Sequence, residues 1–215
     1  MSDSPSVQDP LPAARTTPVV ALALLEALRS SDTPEEVLEE EDVQQSLPRR
    51  LGLSEVVGTQ IRRYRDLKDR KVKLSARELA DLFVLVDRRP DAGDVFARAG
   101  SWLVRRQLRE RRLRRGMARV PLPHALQRHL AFRAARTVAR QVNPGADVRI
   151  ERKPPALVLE GSLPAAAGVP EACRMVRASL ATSLSLHGLE ATDGGPLHPL
   201  CEGRGDSCCL WRPGG

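Results

Sequence analysis

Apolar positions recur at helical spacing through the first two-thirds of the chain and give way to strand alternation after residue 145. The first stripe is Val19, Val20, Leu22, Leu24, Leu25 and Leu28, which predicts a short helix after a polar, Pro-rich opening. Thr33-Pro34-Glu35-Glu36 has the features of a second helix start, with an N-cap, Pro at the first helical position and acidic residues in the first turn. Pro48 closes that segment. Leu53, Val56, Val57, Ile61 and Tyr64 then predict a helix from Leu51 to Leu67. Ser75 with Glu78 three residues later is a capping box, opening a helix that carries Leu79, Leu82, Phe83 and Val86. After the break at Arg89-Pro90-Asp91, an arginine-rich helix is predicted from Ala92 to Arg115, ended by Gly116. Pro123 to Val142 predicts a long helix stopped by Asn143-Pro144-Gly145.

Beyond that point Asp147 to Arg152 alternates like a half-buried strand, Pro154-Pro155 turns the chain, and Ala156 to Glu160 returns. A helix from Pro170 to His187, ended by Gly188, and two short strands between Leu197 and Arg212 complete the pattern. The fold expected is α+β, a helical N-terminal part followed by a ββαββ four-stranded antiparallel sheet packed against helices. The organisation expected is a disordered arm over 1–16, a helical region over 17–90 and an α+β domain over 91–215.

Composition narrows the function. Apolar residues make up 41% of the 215, enough for a core, but only 3% are aromatic. So little aromatic surface disfavours a protein that binds single strands by stacking successive bases. The formal charge is +7, unevenly spread, with an acidic stretch from Glu35 to Asp42 and a basic one from Arg62 to Arg119. The basic stretch reads either as a solvated helical surface paired with the acidic arm or as a contact for nucleic acid or anionic lipid. Its Arg105–Arg115 run lacks helix-turn-helix, finger or basic-zipper context, which makes nucleic acid the weaker reading. No run approaches 18 apolar residues, so no membrane insertion is expected. The opening residues do not resemble a secretory leader, and a cytoplasmic location is expected, where thiols stay reduced.

The chemistry sits in the cysteines. Cys173 lies at the head of the last helix, and Cys201, Cys208 and Cys209 lie in the closing hairpin with His198 three residues before Cys201. Zinc takes four ligands from thiolate, imidazole or carboxylate, and a hairpin turning at Gly203 and Gly205 brings Cys201 near Cys209. The same residues also suit buried thiols that fill a core. Cys208 and Cys209, as strand neighbours, face opposite sides, and alternation alone does not say which faces inward. His124 and His129, at i and i+5 on one helix, suit surface or capping roles. Arg204-Gly205-Asp206 reads as a turn rather than an adhesion signal. No Ser-His-Asp set, Walker loop or dinucleotide glycine pattern is present in the sequence.

Cys173 at a helix head after two strands, followed by Cys201-Glu-Gly-Arg-Gly205-Asp206-Ser-Cys-Cys209-Leu-Trp211, resembles the 4-vinyl reductase domain family. That family includes sensor domains of aromatic-responsive transcriptional activators and a bacteriochlorophyll-synthesis protein. The resemblance spans roughly residues 95 to 212, with specific motifs in the last forty. It implies a zinc ion held by Cys173, Cys201 and Cys209, with His198 where the sensor members carry Glu. Four protein ligands would leave no open position for water, so such a site would be structural rather than catalytic. The resemblance also implies dimerisation through helices and an apolar pocket between sheet and helices. Phe96, Trp102, Phe132 and Val158 are candidates for that pocket's lining, chosen on apolarity alone, with ordinary core the stronger reading. The function expected is a non-catalytic small-molecule sensor or protein-interaction adaptor, its output passing through a partner. The alternatives are a tetrapyrrole-pathway vinyl reductase or accessory factor, and a basic nucleic-acid binder.

Overall fold

The computed structural model describes residues 14–32, 55–115, 123–189 and 195–213. The helix start expected at Thr33 and the close at Pro48 lie outside them, as does the Gly116 cap. Strand β1 (Arg15–Thr16) leads into helix α1 (Pro18–Ser31), followed by α2 (Glu55–Asp69), β2 (Leu74–Ser75), α3 (Ala76–Asp87) and α4 (Ala92–Arg115). Helix α5 (His124–Val142) precedes the hairpin β3 (Asp147–Arg152) and β4 (Pro155–Glu160). A short α6 (Leu163–Ala166) and a 3₁₀ turn (Pro170–Cys173) run into α7 (Arg174–Leu186). Strand β5 (Leu197–Leu200), a second 3₁₀ turn (Glu202–Arg204) and β6 (Cys209–Arg212) end the described chain.

Local signals set these boundaries. Thr17 caps α1 by accepting from the Val19 amide, with Pro18 at the first helical position. Ser75 accepts from the Glu78 amide, as the capping box requires. Helix α2 ends with Lys71 in the left-handed region at φ 57°, and the Val72 amide returns to the Leu67 carbonyl. Arg15–Thr16 belong to the arm expected to be disordered, yet they pair antiparallel with Leu74–Ser75. The Thr16 hydroxyl also donates to the Gln141 carbonyl, which fixes the arm's end against α5.

The four-stranded sheet is antiparallel throughout, in the order β3-β4-β6-β5. The chain leaves β4, crosses by α7 to the far edge at β5, and returns as β6 into the central position. One face of this sheet meets α5 and α7 through Val148, Leu157, Leu159, Cys209 and Trp211. A second core, almost wholly helical, gathers α1 to α4 with Val138, Val142 and Met175. Phe83 and Phe96 meet edge-to-face within it, at 5.9 Å between ring centres. This core takes residues from both sides of the boundary expected at residue 90.

Among the described residues helices α4 and α7 make the most extensive contact, and they join the two cores. They approach closely at Gly100, where an added Cβ would run into the Met175 carbonyl, 2.8 Å from its carbon. Ser179 donates to the carbonyls of both Gly100 (3.1 Å) and Met175 (2.6 Å), so its hydroxyl bridges the seam. The crossing thereby holds α7, and Cys173 at its head, at a fixed height beside the sheet.

Candidate metal centre

Three chain segments converge at the open end of the sheet. Cys173 is the last residue of the 3₁₀ turn that opens α7, His198 lies on β5, Cys201 follows β5 directly, and Cys209 begins β6. One ligand atom from each of these four residues lies within 4.8 Å of the other three. Among the described residues no other group of His, Cys, Asp and Glu side chains converges in this way. The three cysteines are buried and His198 is half-buried.

The spacing suits an ion rather than a bond between sulfurs. The Cys173 and Cys201 sulfurs stand 4.0 Å apart, twice the ~2.05 Å of a disulfide. A tetrahedral ion with sulfur bonds of ~2.3 Å places its sulfurs about 3.8 Å from each other, close to the separation seen. The imidazole supplies independent support. Its Nε2 is buried and has no hydrogen-bond partner, an arrangement that costs about 1–3 kcal/mol unless something occupies it. The ring is held in place by Trp211, stacked parallel at 4.6 Å between centres and 8° between planes.

The thiols are not equivalent. Cys209 is pulled down to about 4, chiefly because the Cys173 thiol donates to it, with His198 and the Glu202 amide contributing. Cys173 is driven up by the same hydrogen bond and by burial. Cys201 is raised by burial first and then by the charge on Cys209. Burial and mutual proximity thus disfavour ionisation of Cys173 and Cys201, whereas the thiolate is favoured at Cys209. A dipositive ion reverses that preference, because it offsets the repulsion between three close thiolates.

The loop between β5 and β6 is built to hold its two cysteines. Asp206 accepts from the Cys201 amide at 2.7 Å, and its own amide donates back to the Cys201 carbonyl. Gly205 takes φ +94° between them, a conformation that favours glycine. Arg204 donates to the carbonyls of His198 and Pro199, so the Arg-Gly-Asp turn is an internal brace rather than a display. Glu202 accepts from the Gly161 and Ser162 amides, tying the loop to the end of β4. Gly203 lies against Pro170, where a Cβ would come within 2.7 Å of the proline ring. Glu202 and Trp211 were not among the site residues expected from sequence. A carboxylate beside a cysteine and an aromatic two positions after one were the signals available for them.

Strand alternation now separates the neighbouring cysteines. Cys209 and Trp211 face the helices, whereas Cys208 sits against Ala156, Val158 and Leu210 on the opposite face. The four residues considered for an apolar pocket are not brought together. Phe96 is in the helical core and Trp102 lies at its margin, with the Arg106 guanidinium over its ring. Phe132 is in the sheet–helix core, and Val158 faces away from it, because β4 turns Leu157 and Leu159 inward. His124 and His129 are exposed on α5. Among the described residues no helix is long and apolar enough to cross a membrane.

Cys173, His198, Cys201 and Cys209 are therefore able to hold a metal ion, with every donor supplied by the protein. Compared with protein-family models, curated proteins and solved structures, the chain has no match.

Proposed function

We propose that the chain is a zinc-stabilised, non-catalytic module of the 4-vinyl reductase type, acting as a small-molecule sensor or a protein-interaction adaptor. The single observation that carries the reading is the convergence of three thiols and an unpartnered imidazole nitrogen from three separate segments. A donor set of three thiolates and one imidazole suits zinc, being soft and readily tetrahedral. Four protein donors leave no position for water or substrate, which assigns the ion a structural role. When bound, it supplies a cross-link between α7 and the β5–β6 hairpin. The chain's own residues supply the rest: Trp211 orients the imidazole, and Asp206 and Glu202 hold the Cys201 loop. The ββαββ order, with its first cysteine at the head of the crossing helix, supports the family reading.

Cobalt substitution tests the closed site. Co²⁺-loaded protein is expected to show the intense visible absorption of a tetrahedral thiolate-rich site, unchanged by added azide or cyanide. A spectrum that shifts with added anion would reveal an open coordination position and sink the structural reading.

A further inference from the structure

A second site, sharing no lining residue with the metal cluster, lies where β1 and the start of α1 meet α2 and α5. It is a cleft of about 600 Å³, within the ~300–1,000 Å³ usual for small-ligand sites. Its charge is one-sided. Lys68, Lys71 and Lys73 enter from the end of α2 and the segment after it. Arg133, Arg136 and Arg140 enter from α5, at i, i+3 and i+7, which places them on one helix face. Arg15 of β1 completes the ring, and among the described residues no Asp or Glu lines the cleft.

Among the described residues most of this charge has no carboxylate partner. Lys68 is paired with Asp69, and Arg136 and Arg140 donate to the Val148 carbonyl without meeting an anion. Arg15, Lys71, Lys73 and Arg133 have no carboxylate partner among the described residues. Helix α1, fourteen residues long, also points its N-terminus into the cleft through Thr17 and Pro18, which adds positive partial charge. Gathering so many like charges around one concavity is unfavourable unless an anion occupies it.

We infer that this cleft binds a small ligand bearing several phosphates, of the nucleoside triphosphate or inorganic oligophosphate class. Two features favour a compact polyphosphate over a nucleic-acid strand. Among the described residues no aromatic side chain lines the cleft, so they offer no platform for successive bases. In the neighbouring depression that shares Arg133 and Arg136, Arg149 is paired with Glu160 at 2.7 Å and Asp147 at 3.4 Å, which leaves Arg152, of the cations it does not share, without a carboxylate partner among the described residues. The cleft thus holds the denser group of cations, in a volume that suits a few phosphates.

Isothermal titration of the full chain with inorganic tripolyphosphate, at about 0.15 M salt to screen loose surface contacts, tests this directly. One tripolyphosphate per chain is expected, displaced by ATP and not by sulfate at the same concentration. Lys71→Glu and Arg133→Glu, both at exposed positions, are each expected to weaken binding about tenfold or more. Arg109→Glu makes the same charge change on exposed α4 and is expected to leave binding intact. No binding of tripolyphosphate by the wild-type chain would overturn the assignment, whatever the variants do. So would an equal loss in Arg109→Glu, which reports net charge alone. A short DNA duplex, or phosphatidylglycerol vesicles, bound through Lys71 and Arg133 and not displaced by tripolyphosphate would give the cleft to a macromolecular or lipid phosphate instead.

Discussion

At the scale of single residues, two neighbours in one strand carry opposite expectations. Cys209 is buried among the metal-site residues, and Cys208 faces the other side of the sheet. Cys209→Ser is therefore expected to abolish metal retention, and Cys208→Ser to preserve it, as read by metal analysis after gel filtration. Tyr64 offers an independent check on the helical core. It is the chain's one tyrosine, 2% exposed, and its hydroxyl donates to Glu78 at 3.1 Å. Burial, with the Glu78 charge behind it, pushes its pKa up to about 12. The unfolded chain gives up this proton near 10 and the folded chain near 12. Rising pH therefore favours unfolding across that window, and the stability fully present below 10 is lost as pH approaches 12. Phenolate absorbance in the folded protein is expected to titrate near 12, and a midpoint at 10 would contradict the burial. Much of this scale was legible in advance. Cys201, Cys209 and His198 mark themselves by hairpin spacing, and Ser75 announces its cap, whereas the Thr17 cap was not read from the sequence. The choice between Cys208 and Cys209 was not settled by alternation, which gives two faces without saying which one is covered.

Elements that carry periodic apolar stripes were readable, and elements defined by distant partners were not. The α4, α5 and β3–β4 segments follow their spacing closely, because a buried face imposes a period on the sequence. The β1–β2 pair has two residues in each strand, too few for a period, and it forms only because α5 receives Thr16. Phe96, Trp102, Phe132 and Val158, weighed as pocket lining or ordinary core, lie in different clusters for a similar reason. Apolarity identifies buried residues but not which of two cores, or which face of a sheet, will bury them. The α4–α7 seam was equally silent, since one glycine among arginines gives no sign of a backbone contact. Its consequence is testable. Gly100→Ala must displace α7 or bend α4, and a loss of about 1–3 kcal/mol is expected in denaturant unfolding. An unchanged midpoint would mean that the helices do not meet there.

The whole molecule joins two cores of different character. One is made of helices packed on helices, and the other closes a small sheet whose last two strands are short. The metal site lies at the end of the second core, where strand pairing is thinnest and the β5–β6 register shifts between Leu197 and Leu200. A cross-link there acts where hydrogen bonding is weakest. Chelation is accordingly expected to speed amide exchange in β5, β6 and the first turn of α7, while α1 to α3 keep their protection. Uniform loosening of both cores would contradict this division.

Metal content by elemental mass spectrometry decides whether Cys173, His198, Cys201 and Cys209 hold one structural zinc ion, as proposed. The purified chain is expected to carry about one zinc, lost in Cys173→Ser, His198→Ala, Cys201→Ser and Cys209→Ser and kept in Cys208→Ser. A wild-type protein that is folded, stable and free of metal would contradict the claim and make these thiols part of the core.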